Sequence, residues 1–231
     1  ALYNIIDSIF VAQIGEDALT AVTIGGPIQF FMVSMGVGTG VGINSLISRR
    51  LGAKKFEDAN NAANSGLKLA IFNWLIFVIF GIFFAKPFIE IFSNDPSIVK
   101  QGVSYLSIVT VISCFCMLEL LLEKIFQATG NMVYPMITMI TGALVNTMVD
   151  PILIFGLLGA PKLGVTGAAI STVFAQFVSM SVGIYFIKRK NIGLKVNLLD
   201  LKIDFKIVKE IYKVGAPSII MQSLSSVMLF G

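Results

Sequence analysis

Residues 18 to 48 run without a single Asp, Glu, Lys or Arg, and the same holds for residues 69 to 85, 101 to 118, 125 to 149, 163 to 187 and 214 to 231. A helix needs about 20 apolar residues, at about 1.5 Å each, to cross a hydrocarbon core of about 30 Å, so runs of this length dictate membrane helices. Composition agrees: 56% of the 231 residues are hydrophobic, 13% are charged, and Phe alone occurs 19 times. With a mean hydropathy of +0.88, the chain has too little polar surface to cover a water-soluble domain.

Turn chemistry separates the runs: Gly15-Glu16-Asp17, Leu51-Gly52-Ala53-Lys54-Lys55, Asn94-Asp95-Pro96, Thr129-Gly130-Asn131 and Gly159-Ala160-Pro161. The pattern predicts an all-α membrane protein with five complete spans and two cut ones. Ala1 to Ile14 is apolar but too short to span and carries no signal-peptide pattern, and Val214 to Gly231 stops without a polar cap. The expectation is a fragment that begins and ends inside helices.

Domain organisation follows from charge. Residues 1 to 187 form one transmembrane lobe, 188 to 213 a basic linker, and 214 to 231 the start of a further helix. Within the linker Leu201, Phe205, Val208 and Tyr212 recur at helical spacing among lysines, which suits a helix lying on the membrane surface or a solvated connector. Arg49, Arg50, Lys54, Lys55, Lys124 and the linker's Lys and Arg fall on one side, against Lys86, Lys100 and Lys162 in the opposite loops, with Lys68 near the start of the third span. The basic side is predicted to be cytoplasmic. These loops account for the net charge of +4, so no nucleic-acid partner is expected.

Polar residues inside a membrane span are expensive: an ionised carboxylate costs about 2.5–3.5 kcal/mol at mid-membrane. Asp150 interrupts the fifth span, one helical turn after Asn146 and directly before Pro151, whose missing N–H frees the carbonyl of Thr147 and predicts a bend beside the acid. Aligned on the acid, residues 4 to 15 (NIIDSIFVAQIG) match 146 to 159 (NTMVDPILIFGLLG), with Asp7 eight residues before Gly15 and Asp150 nine before Gly159. Each acid is therefore expected about 12 Å inside its helix end, at similar depth. Thr172, Gln176 and Ser179 make a polar stripe on the sixth span, able to face Asp150 or to serve as interhelical hydrogen-bonding groups.

Other motifs carry less chemistry. GVGTGVG at 36 to 42 lacks the Lys and the preceding strand of a phosphate loop and predicts close helix packing. Cys114 and Cys116, with no His anywhere in the chain, predict buried packing and no metal site. Glu119 is a further acid inside a span, without an assigned role.

YNIIDSIFVAQIG, LTAVTIGGPIQ, SRRLGAKK, IFQATGNMVYPM, VNTMVDPILIFG and LGVTGAAISTVFAQ resemble the first six helices of a multidrug and toxic-compound extrusion (MATE) transporter, and KVGAPSIIMQSLSSV resembles the opening of its second lobe. The resemblance implies one six-helix lobe of a twelve-helix, two-lobe antiporter that exports cationic or amphipathic compounds in exchange for H+ or Na+, without a cofactor, from a multi-pass position in a bacterial plasma membrane. Carried over by position, Asp7, Asn146, Asp150 and Thr172 would be the cation- or proton-binding residues, with any Na+ held at Asp7 and Asp150. Pro151 would supply the bend, and Asn4, Gln29, Gln176 and Ser179 are candidates for the substrate cavity. Expected partners are small cationic or amphipathic molecules and membrane lipid. Two alternatives stand beside this reading. A lipid or lipid-linked oligosaccharide flippase of the same superfamily should line its cavity with cations, which these spans lack; an intramembrane aspartyl protease should carry a G-x-G-D context, which neither Asp7 nor Asp150 has.

Overall fold

A computed structural model describes residues 2–189 and 204–230, with side chains for 7–189 and 204–224. The described residues are helical, with no strand: α1 (Leu2–Ala12), α2 (Glu16–Gly52), α3 (Phe56–Phe83), α4 (Ala85–Phe92), α5 (Pro96–Val111), α6 (Cys114–Ala128), α7 (Val133–Phe155), α8 (Val165–Arg189) and α9 (Phe205–Phe230). Among them α2, α3, α7 and α8 are long and apolar enough to cross a membrane, and α5 with α6, bent by 46°, make a fifth span if taken together. α2, at 37 residues, is about 56 Å long and exceeds the hydrocarbon core.

Helix ends follow the turn residues. Asp95 caps α5, its Oδ1 accepting from the backbone N–H groups of Ser97 at 2.7 Å and Ile98 at 3.4 Å, with Pro96 at the first helical position where no N–H is needed. α2 ends in a Schellman arrangement: Lys55 N–H donates to Arg50 O at 2.9 Å and Lys54 N–H to Leu51 O at 2.9 Å. α6 ends the same way, with Asn131 N–H on Phe126 O at 3.1 Å and Gly130 N–H on Gln127 O at 3.0 Å. Asn131 then caps α7 through its Oδ1, which accepts from Val133 and Tyr134 N–H.

Two breaks were not expected. Residues 101 to 118 read as one uninterrupted span, yet the helix breaks between Val111 and Cys114. Hydroxyls compete for the backbone there: Thr110 Oγ1 donates to Leu106 O at 2.6 Å and Ser113 Oγ to Thr110 O at 2.7 Å, while Trp74 Nε1 donates to Val111 O at 2.8 Å. The third span also breaks, at Phe84, just before Pro87, whose ring excludes the carbonyl of Phe83 from the helical ladder.

The chain divides into two compact units, one of Ala1–Phe30, Trp74–Phe115 and Met139–Ser179, the other of Phe31–Asn73, Cys116–Thr138 and Met180–Gly231. In the first, Ala85, Ile89 and Leu106 form a buried cluster with Ile24, Ile28, Phe80, Phe88, Val99 and Val103 packed around it. In the second, the GVGTGVG run gives the close packing it predicts: a Cβ on Gly38 would stand 3.1 Å from the carbonyl oxygen of Gly215 on α9. Asn73 Nδ2 donates to Thr39 Oγ1 at 3.1 Å, and the Tyr212 hydroxyl to Asn73 Oδ1 at 3.5 Å. Cys116 is buried and Cys114 half-buried, both as free thiols.

Of the linker drawn at 188 to 213, residues 190 to 203, Leu201 among them, lie outside the described residues. In the rest, α9 runs through the boundary drawn at 213/214. The face of α9 that packs is Ile207 and Ile211, both buried, whereas Phe205 is 80% exposed.

The two Schellman ends differ at the residue in the left-handed region, Lys54 at φ 60° and Gly130 at φ 80°. A Cβ costs about 1–2 kcal/mol in that conformation. Lys54→Gly is therefore expected to raise the thermal midpoint of the detergent-solubilised protein by up to about 1 kcal/mol of stability, and Gly130→Ala to lower it by about 1 kcal/mol.

Candidate functional site

The polar residues of the first unit converge on the two acids. Asp7 on α1 and Asp150 on α7 are fully buried, as are Asn146, Ser171 and Thr172. Asn146 bridges the acids, its Nδ2 donating to Asp7 Oδ1 at 3.3 Å and to Asp150 Oδ1 at 3.3 Å. Asp7 Oδ2 accepts from Thr172 Oγ1 at 2.7 Å and from the Tyr105 hydroxyl at 3.3 Å. The Tyr105 hydroxyl also faces Gln29 Oε1 at 3.5 Å. Ser171 Oγ donates to Asp150 Oδ1 and lies 3.1 Å from its other acceptor, Ala168 O.

The loop after α7 is what brings α8 to Asp150. α7 continues past Pro151 to Phe155, and the chain reverses through Gly156 at φ 76°, Gly159 at φ 82° and Gly164 at φ 58°. Leu163 N–H and Gly164 N–H then donate to Leu153 O at 3.0 Å and Ile154 O at 3.2 Å. Gly167 seats α8 against this last turn, since a Cβ there would stand 2.6 Å from Leu153 O. Ser171 and Thr172, one turn further on, thereby meet the acids.

The depth expectation needs correcting. α1 ends at Ala12 and α7 at Phe155, before Gly15 and Gly159, so each acid lies about 7.5 Å from its helix end instead of about 12 Å. The offset is the same in both helices.

Of the residues selected from sequence, Asp7, Asn146, Asp150 and Thr172 form one hydrogen-bonded cluster, and Gln29 joins through Tyr105. Gln176 is buried one turn beyond Thr172, and its Oε1 has no hydrogen-bond partner among the described residues. Ser179 is buried on the same helix. The side chain of Asn4 lies outside the described residues. Two members of the cluster, Tyr105 and Ser171, were not selected from sequence. Neither is an acid or an amide, and the adjacency of Ser171 to Thr172 was the available signal.

Among the described residues no Lys or Arg forms an ion pair with either acid, and no group of His, Cys, Asp and Glu side chains is arranged to hold a metal ion. Asp150 Oδ2 and Asn146 Oδ1 are buried and receive no donor. An all-oxygen set with two open acceptors fits a proton or a hard monovalent cation.

The family model described as MatE matches residues 1–152. The chain belongs to the MatE family. Among curated relatives it is 28% identical over 227 residues to the multidrug export protein MepA of Staphylococcus haemolyticus (strain JCSC1435), covering 98% of this chain and 49% of that one. Two solved structures of a multidrug resistance MATE family transporter of the MOP superfamily superpose on it. The inward-facing one gives a TM-score of 0.90 at 27% identity over 99% of this chain and 51% of that one. The outward-facing one gives 0.91 at 26% over 99% and 50%. The MatE chain described here thus spans about half the length of the relatives it matches, and the family model covers Asp7, Asn146 and Asp150 while ending before Ser171 and Thr172.

Placing a methyl group on Gly167 tests whether the α7–α8 seat builds the site. Gly167→Ala meets backbone, which cannot rotate away, and is expected to cost about 1–3 kcal/mol, seen as a lower thermal midpoint. Gly52→Ala, with nothing within 4 Å of the added Cβ, should leave the midpoint within about 0.5 kcal/mol of wild type.

Proposed function

We propose that this chain is the first lobe of a cation-coupled multidrug efflux antiporter of the plasma membrane, exporting cationic or amphipathic small molecules in exchange for H+ or Na+. The observation that carries the reading is the buried pair of acids bridged by Asn146, with no basic partner among the described residues. Two like charges in a desolvated cluster repel, so the pair is stable only when a proton or cation compensates it. An antiporter uses such a dependence: the ion's arrival and departure change which helix arrangement has the lower free energy. The name of the S. haemolyticus relative, a multidrug export protein, supports the efflux direction.

In this reading Asp7 and Asp150 receive the coupling ion from the outer side, with Asn146 and Thr172 holding them in register. Neutralising the pair lets α1 move against α7 and α8, bound substrate leaves outward, and the carrier returns. Pro151 supplies the compliant point in α7, and Gln29, Gln176, Ser179 and Asn4 contribute polar groups to the substrate path. The basic loops face the cytoplasm. Family membership supports transport over the aspartyl protease alternative, and the absence of Lys and Arg from the cluster speaks against an anionic lipid-linked substrate.

Ethidium efflux by the full-length protein in proteoliposomes, with pH and Na+ gradients imposed separately, tests the assignment. Asp7→Asn and Asp150→Asn are each expected to lower the coupled rate by at least about tenfold. Wild-type coupled efflux in either variant would refute it.

A further inference from the structure

We propose that Ser171 is a positioning residue for the coupling cation: its hydroxyl holds Oδ1 of Asp150 in the cation-free state and so leaves Oδ2 as the oxygen that takes the cation. The inference rests on the antiporter reading above. It comes from the distribution of donors over the four carboxylate oxygens. Asp7 Oδ1 receives Asn146 Nδ2, Asp7 Oδ2 receives Thr172 and Tyr105, and Asp150 Oδ1 receives Asn146 and Ser171. Among the described residues only Asp150 Oδ2 receives no amide or hydroxyl donor, and Asn146 Oδ1 on the bridging residue is equally without one, while the two carboxyl groups are themselves in hydrogen-bonding contact. Both open acceptors are fully buried, where each costs free energy until a cation or donor arrives.

Ser171 differs from Thr172, the other α8 hydroxyl in the cluster, in having an alternative. A serine in a helix can turn its single O–H proton onto the carbonyl three or four residues earlier, and Ala168 O lies 3.1 Å from Ser171 Oγ. Donation to Asp150 Oδ1 is favoured while the carboxylate is charged, because hydrogen bonds to a charged acceptor are the stronger ones. Once a cation lies on Oδ2, the proton can return to Ala168 O without leaving a buried donor unsatisfied. Thr172, by contrast, is committed to Asp7 Oδ2 at 2.7 Å. The other ionisable groups in the cluster are Asp7 and Tyr105, and no described Lys or Arg pairs with either acid. Ser171 therefore stabilises the cation-free site and keeps the cation exchangeable.

The sign of the test follows. Removing the hydroxyl destabilises only the cation-free state, so cation affinity rises. The thermal midpoint of the full-length protein in detergent is measured against NaCl at constant ionic strength with N-methylglucamine chloride, and separately against proton concentration, since a ligand of the folded state alone raises the midpoint. The rise follows RT ln(1 + [ion]/Kd), and its half-point, the concentration at which the site is half filled, is expected for the ion that the protein uses to be roughly tenfold lower in Ser171→Ala and intermediate in Ser171→Cys, a weaker donor of similar size. If Ser171→Ala cannot be recovered, Ser171→Cys decides by the same sign. A purely structural serine would lower the midpoint at every concentration without moving the half-point. An unchanged half-point, or one moved to higher concentration, overturns the inference. Asp150→Asn serves as the separate control: loss of the cation response keeps the antiporter site, and a wild-type response in that variant removes it.

Discussion

Two carboxylates that share one water-poor cluster, with no basic neighbour among the described residues, set the terms for the rest of this fold. Among the described residues the donors around Asp7 and Asp150 are one amide and three hydroxyls, from Asn146, Thr172, Tyr105 and Ser171. Each spreads negative charge, and none neutralises it. A lysine or arginine in their place would make a buried ion pair whose separation leaves an uncompensated charge, and the site would then have one stable state. Neutral donors leave the charge to be settled by a mobile ion, which suits a site meant to empty and fill.

Backbone geometry does the positioning. α8 approaches α7 so closely at Gly167 that backbone meets backbone, and the loop between them returns two N–H groups to the last turn of α7. Oxygen-bearing side chains are short, so a hydroxyl on one helix reaches a carboxylate on the next only where the axes come close. The bend between α5 and α6 follows from comparable chemistry, since Thr110 and Ser113 divert their hydroxyls to backbone carbonyls and Trp74 takes that of Val111. Tyr105 stands on the helix that this bend ends.

Legibility in the sequence tracked the cost of each residue in a membrane. Asp7, Asn146 and Asp150 stood out because acids and amides are expensive in an apolar run, and Thr172 through the polar stripe it begins with Gln176 and Ser179. Ser171 and Tyr105 did not, because a serine can bond its own helix and a tyrosine is mostly ring. The helix ends at Lys54, Asp95 and Gly130 could be read from turn residues. The α5–α6 break could not, since neither Pro nor Gly marks it and the hydroxyls that cause it are ordinary in apolar helices. The step from charged to apolar residues at 213/214 lies inside α9. Such a step reports a change of surroundings along the helix, and the backbone hydrogen bonding that makes the helix is indifferent to it.

The contacts of the acid cluster also differ in how far apart along the chain their partners lie. Ser171 and Asp150 are 21 residues apart, and Asn146 and Asp150 only 4, whereas Asp7 must meet Thr172 across 165 residues and Tyr105 across 98. Closing the short loop costs less chain entropy than closing the long ones. The α7–α8 hairpin can therefore assemble its half of the cluster by itself, and Asp7 joins by completing the longest loops. During synthesis α1 is made before α8, so the carboxylate of Asp7 waits for Thr172 until α8 exists to receive it.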